Sequence, residues 1–221
     1  MIAKVKVIAI DGPGGVGKSS VAKDLASLME GWFYLDTGAM YRAITWSWLQ
    51  AGSREVLLSS AQWLQSLKLH IDGSSITMNE RDISREIRSR EVTATVSRVA
   101  AEPEVRKVLT SMQQAIGSLN PCIVDGRDIG TVVFPNAFLK VFLKASPEVR
   151  AHRRWLQLGG PDSPMTEEEL VADLRRRDLY DSTRSCAPLK AANDAWLFDT
   201  SNLTQSEVVE QIHKEAVARL S

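Results

Sequence analysis

Eight residues near the start of this 221-residue chain, Gly12-Pro13-Gly14-Gly15-Val16-Gly17-Lys18-Ser19, constrain its fold more than any other segment. They follow the apolar run Val5-Lys-Val-Ile-Ala-Ile10 and precede Val21, Leu25, Leu28 and Met29 at helical spacing. The pattern predicts a buried strand, a glycine-rich turn and a helix, in that order. Such glycines let successive backbone N–H groups turn inward onto a polyphosphate, which also faces a helix N-terminus. In the pattern G-x-x-x-x-G-K-[ST], Lys18 reaches the β- and γ-phosphates and the Ser19 hydroxyl holds Mg²⁺. The strand and helix on either side are the context this pattern requires. Nucleotide binding is the first expectation, ahead of a ligand-free turn.

The rest of the chain extends that beginning. Trp32-Phe-Tyr-Leu35 reads as a second strand, followed by Asp36-Thr-Gly and a helix from about Ala39 to Ala51. Leu67 to Asp72 and Ser75 to Met78 alternate around Gly73-Ser74, which predicts a small antiparallel hairpin. A hairpin fits poorly into a parallel sheet, so it belongs to an insertion. Pro103 opens a helix that ends near Gly117. Strands resume at Cys122-Ile-Val124 and Leu139 to Leu143, with a last one at Ala195 to Phe198. Pro147 starts a further helix that stops at Gly159-Gly-Pro161, and Thr166 with Glu169 forms a capping-box pair for the next. The Gly159 to Pro164 loop is the best hinge or lid candidate. The fold class is α/β: a parallel five-stranded sheet covered by helices.

Composition narrows the function. The chain carries 27 Lys+Arg and 27 Asp+Glu, with 44% hydrophobic residues. A formally neutral globular chain is not held to nucleic acid or an anionic membrane by bulk charge. No uncharged stretch is apolar enough to make a transmembrane helix, and lysines occupy the place of a signal peptide's apolar core. Cytoplasm is the expected compartment. Cys122 and Cys186 are too few for a disulfide framework and lack zinc-site spacing. His70, His152 and His213 share no motif. A guanine-reading Asn-Lys-x-Asp tetrapeptide is missing, which argues against a GTPase. The strand ending at Val124 runs into Asp125-Gly-Arg127-Asp128 rather than into adjacent acids, which argues against a motor ATPase. Small kinases remain.

Several segments then become recognisable: Asp36-Thr-Gly-Ala-Met-Tyr41-Arg42, Asp82 to Val92, Val96-Ser97 to Arg106, Asp125-Gly-Arg-Asp-Ile-Gly-Thr-Val-Val-Phe-Pro135 and Arg177-Asp-x-x-Asp181-x-x-Arg184. In order and over nearly the whole chain, they resemble the type 1 bacterial cytidylate kinases, which are P-loop nucleoside monophosphate kinases. The resemblance implies a P-loop core at 1–60 and 103–221, a lid at about 153–166 and an inserted monophosphate-binding domain at 61–102. It also implies ATP as donor, CMP or dCMP as acceptor and Mg²⁺ as cofactor; a monomer is expected, since nothing in the sequence requires more.

Residue roles follow from the same resemblance. Gly12 to Ser20 would bind ATP, with Arg153 or Arg154 closing over it from the lid helix. Ser97, Arg106 and Asp128 would face cytosine, whose N4 amino group donates while N3 and O2 accept. For Asp128, a helix cap or an ion pair with Arg127 is an equal alternative. Arg42, Arg127, Arg177 and Arg184 would grip the acceptor's phosphate and Asp181 its sugar, with Thr37 adding a hydroxyl contact. Lys18, Arg127 and Arg177 would act in catalysis. Asp36 would either hold magnesium's water shell or cap a helix.

Overall fold

The computed structural model describes residues 6–72 and 75–220. β1 (Val7–Asp11) leads through the glycine-rich loop into α1 (Lys18–Leu28), and β2 (Phe33–Asp36) leads into α2 (Thr37–Gln50). Two short helices follow, α3 (Glu55–Leu58) and α4 (Ala61–Ser66), and then a small sheet of β3 (Leu69–Asp72), β4 (Ser75–Met78) and β5 (Arg81–Asp82). α5 (Arg90–Val99) and α6 (Pro103–Gly117) return the chain to β6 (Cys122–Gly126). A π-helical turn (Ile129–Val133) precedes β7 (Leu139–Lys144), α7 (Pro147–Gln157) and α8 (Glu167–Thr183). β8 (Trp196–Asp199) and α9 (Gln205–Leu220) complete the order.

The larger sheet has the order β2-β6-β1-β7-β8, with every pair parallel. β1 is its middle strand and is buried along its whole length, which is why its sequence is almost continuously apolar. Alternate residues serve opposite faces. Ile8 and Ile10 pack with Val21, Leu25, Val209 and Ile212 of α1 and α9, whereas Val7 and Ala9 face Met40, Ile44 and Leu109 of α2 and α6. Asp11 stands in register with Gly126 of β6 and Phe142 of β7. The carboxyl ends of three strands therefore meet at one level, and in open α/β sheets that crevice receives ligands.

The hairpin expected around residues 73–74 is present as β3 and β4, antiparallel and extended by β5; the two turn residues themselves lie outside the described residues. Ile76, Met78, Ile83 and Ile87 of this region, with Val96 and Val99 of α5, share one apolar cluster with Met40, Ile44 and Trp48 of α2. This segment is thus seated on α2 through its own hydrophobic face. α2 begins two residues earlier than the sequence suggested, because the Asp36 carboxylate accepts the Ala39 N–H at 2.8 Å and caps it. The Thr166–Glu169 capping box closes at 3.2 and 2.8 Å, as its spacing predicted. Cys122 is buried and Cys186 is partly buried in a loop, both as free thiols. Among the described residues, no helix is long and apolar enough to cross a membrane.

Candidate active site

The glycine-rich loop owes its path to backbone that other residues avoid. Gly12 has φ 149°, and a β-carbon there would lie 2.5 Å from the Leu143 carbonyl oxygen. Gly17 caps α1 with φ 96°, in the left-handed region. Inside the turn, the Lys18 ammonium is buried and donates to the Pro13 carbonyl at 2.7 Å. Burial, and then the nearby Arg127 charge, push its pKa well below the usual lysine range; Asp125, Asp11 and Asp181 oppose the shift. A cation desolvated in this way gains strongly from an anion delivered into the loop.

Ser19 donates its hydroxyl to Asp125 Oδ2 at 2.8 Å. Tyr34 donates to Oδ1 of the same carboxylate at 3.1 Å, and Thr37 donates to the Asp125 backbone carbonyl at 2.6 Å. Burial, with Asp36 alongside, raises the Asp125 carboxyl to about 6, while Lys18, Ser19 and Tyr34 pull it down. Sequence reasoning passed over Asp125 because it looked for paired acids after the strand. A single acid ending the apolar run Cys122-Ile-Val124 was the available signal. Asp36 itself is occupied twice, as the cap of α2 and in an ion pair with Arg42 at 3.3 Å.

A second group of charges lies beside the loop. Asp128 is 4% exposed and ion-paired with Arg106 and, at 3.6 Å, with Arg184. Its partners are therefore these two arginines and not Arg127, which instead donates to Asp181 at 3.1 Å. Nor does the Asp128 side chain cap the turn that follows it. Arg106 also donates to the Ala100 carbonyl at 3.0 Å and lies over the Tyr41 ring at 5.4 Å. The buried Tyr41 hydroxyl finds no partner among the described residues. Arg184 donates twice to the Ala187 carbonyl, at 2.9 and 2.6 Å.

Arg177 differs from the other arginines. Its buried Nε has no partner among the described residues, and the same holds for Arg42 Nε. Burial and then the Arg127 charge push the Arg177 pKa down, against the pull of Asp181 and Asp173. Arg42, Arg127 and Arg177 thus form an electropositive corner with unsatisfied donors, which suits a phosphate dianion. Ser97 lies half-buried on α5. Arg153 is held away from the loop, donating to Thr200 Oγ1 at 3.2 Å and to the Leu203 carbonyl at 3.4 Å. Arg154 is engaged on the surface with Gln157.

The α7 arginine that does reach the loop is Arg150, which the sequence reading did not select. It donates to the Gly14 carbonyl at 2.7 Å and is ion-paired with Asp178 of α8. A cleft of about 640 Å³ is lined by Pro13, Phe142, Lys144, Leu179 and Leu189 among others. None of the arginines lines it.

Comparison with known proteins agrees with this geometry. Residues 8–218 match the family model for cytidylate kinase. The chain is 45% identical to a cytidylate kinase from Mycolicibacterium paratuberculosis over 93% of its own length and 92% of the relative's. It is also 45% identical to one from Shouchella clausii, over 96% of both chains. A gluconokinase structure from Sinorhizobium meliloti superimposes with a TM-score of 0.51 at 15% identity, covering 97% of this chain and 93% of the other, a likeness of fold alone. The family-model match over residues 8–218, with relatives 45% identical over nearly the full length, places the chain in the cytidylate kinase family.

Proposed function

We propose that the protein transfers the γ-phosphoryl group of ATP to the phosphate of CMP or dCMP, giving CDP or dCDP in pyrimidine nucleotide metabolism. The observation that carries this reading is Asp128, buried between Arg106 and Arg184 and beside the Arg42–Arg127–Arg177 corner. A carboxylate accepting from the cytosine amino group, next to a guanidinium donating to N3 and O2, is complementary to that base. Uracil would turn O4, an acceptor, toward the carboxylate, which costs roughly 1–3 kcal/mol per mispaired group. Ser97 adds a hydroxyl on this side, and Asp181 meets the sugar.

Phosphoryl transfer asks for in-line positioning and neutralised charge more than for covalent chemistry. The loop from Gly12 to Ser20 holds the donor's phosphates with backbone N–H groups. Lys18 leaves Pro13 to meet the β- and γ-oxygens. Arg127 and Arg177 bind the acceptor phosphate and neutralise charge on the transferred group. That phosphate is already anionic, so no general base is required.

Ser19, Asp125 and Asp36 offer the hard oxygen donors that Mg²⁺ prefers, and Ser19 and Asp125 already touch. These residues would hold the ion, Asp36 through water. Bound there, it would screen the β- and γ-phosphate charge. We further infer that residues 61–102 act as the monophosphate-binding unit, residues 153–166 as a lid, and the chain as a monomer of the cytoplasm.

The direct experiment measures ADP release with Mg²⁺-ATP and a panel of monophosphates. CMP and dCMP should exceed UMP at least about tenfold in kcat/KM; equal rates would sink the base-reading assignment. Asp128→Ala should lower kcat/KM for CMP and leave ATP binding nearly unchanged. Equal loss of both would mark Asp128 as a structural ion pair.

A further inference from the structure

Asp11 is the last residue of β1, immediately before Gly12 of the phosphate loop. It is 4% exposed. Oδ1 accepts the Ile129 N–H at 2.8 Å and Oδ2 accepts the Gly130 N–H at 2.7 Å. These are the first two residues after Asp128. One carboxylate therefore joins the strand that feeds the donor site to the turn that presents the base-facing acid.

The turn has few other external ties. Inside it, Val132 and Val133 donate to the Asp128 carbonyl, and Phe134 donates to that of Ile129. Outside it, Gln114 donates to the Val133 carbonyl at 2.9 Å and Lys140 to the Pro135 carbonyl at 2.6 Å, both at its far end. At the near end, Arg106 and Arg184 hold the Asp128 carboxylate, and Asp11 supplies the side-chain contacts to the backbone of the turn. The fit is close: a β-carbon on Gly130 would lie 3.1 Å from Lys140 Cδ and 3.4 Å from Asp11 Oδ2. Asp11 itself does not depend on the turn for its place, because β6 and β7 pair with β1 on both sides at this level.

We propose that Asp11 is a positioning residue for acceptor specificity, fixing Asp128 against the donor strand through the Ile129 and Gly130 amides. A carboxylate suits the role because each of its oxygens can accept one N–H. An asparagine would turn an NH₂ donor toward one of the two amides. The molecule keeps a desolvated acid here although burial pushes it up to about 6, with Asp128 adding to the shift and Lys18 and the two amides opposing it.

The inference rests on Asp128 reading the base, so the experiment separates the two claims. Wild type assayed with CMP and UMP tests the base-reading assignment by itself. In Asp11→Asn, KM for CMP should rise roughly tenfold, the equivalent of one lost buried hydrogen bond. The CMP-over-UMP preference should shrink with it, while KM for ATP stays within about twofold, because strand pairing holds the loop in place. A lowered melting temperature with an unchanged CMP preference would overturn the proposal, as would an equal rise in both KM values. Gly130→Ala, which crowds the same contact from the other side, should shift the preference in the same direction. It carries the comparison if Asp11→Asn does not fold.

Discussion

Gln113 of α6 is fully buried, yet neither its amide nitrogen nor its oxygen finds a partner among the described residues. An unpaired buried amide costs roughly 1–3 kcal/mol, and methionine offers similar length without polar demand. Gln113→Met should therefore raise stability by about 1–2 kcal/mol, or a few degrees in melting temperature for a chain of this size. Thermal unfolding checks it, with kcat unchanged. Single residues were legible in the sequence where their role is local. Lys18 and Ser19 sit in a contiguous motif, and Asp36 was weighed as a helix cap. Asp125 was not legible: its meaning comes from Ser19 and Tyr34, which approach only once β2, β6 and α1 are side by side. Asp128 was legible through the family resemblance, but its ion-pair partners were not, because they lie on α6 and just beyond α8.

Arg150 fastens helices α7 and α8 to the phosphate loop by hydrogen bonds. Arg150 Nε donates to the Ala145 carbonyl at 3.0 Å, while its terminal nitrogens hold the Gly14 carbonyl and Asp178. Asp178→Asn would leave a buried guanidinium short of its counterion. Since Asp178 is itself partly exposed, we expect the lower end of the range for broken buried pairs, about 3 kcal/mol. KM for ATP should rise more than KM for CMP, measured by varying each substrate at saturation of the other. Elements were the most legible level of this fold, because proline at a first helical turn, the capping box and the alternating hairpin each act within a few residues. Spacing alone could not rank Arg150, Arg153 and Arg154, which share one helix. The direction each takes depends on what lies opposite: the loop and α8 for Arg150, the segment after β8 for Arg153, and solvent for Arg154.

For the molecule as a whole, two buried acids at the head of the sheet govern the response to pH. Asp11 and Asp125 are both raised to about 6 from an ordinary value of 3.8. Acids raised on folding bind more protons in the folded state. Their contribution is fully present below about 3.8 and is lost as pH rises through about 6. The stability of wild type relative to Asp125→Asn should therefore fall between pH 5 and pH 7.5, as read from urea midpoints at the two values. A flat difference would show that Asp125 ionises normally. Overall neutrality, 27 charges of each sign, gave no hint of this concentration, since a chain-wide sum does not say where the charges lie. The strand order carries one more consequence, for the way the chain is made. Val7 pairs with Cys122, and Ile8 with Leu139, so the strand that holds the glycine loop has no neighbours until β6 and β7 have been synthesised. The nucleotide motif is therefore made well before the strands that complete it as a site. A nascent chain holds that apolar strand without its sheet partners while the more than one hundred residues up to β6 are made, in the slow folding regime of non-local parallel pairing.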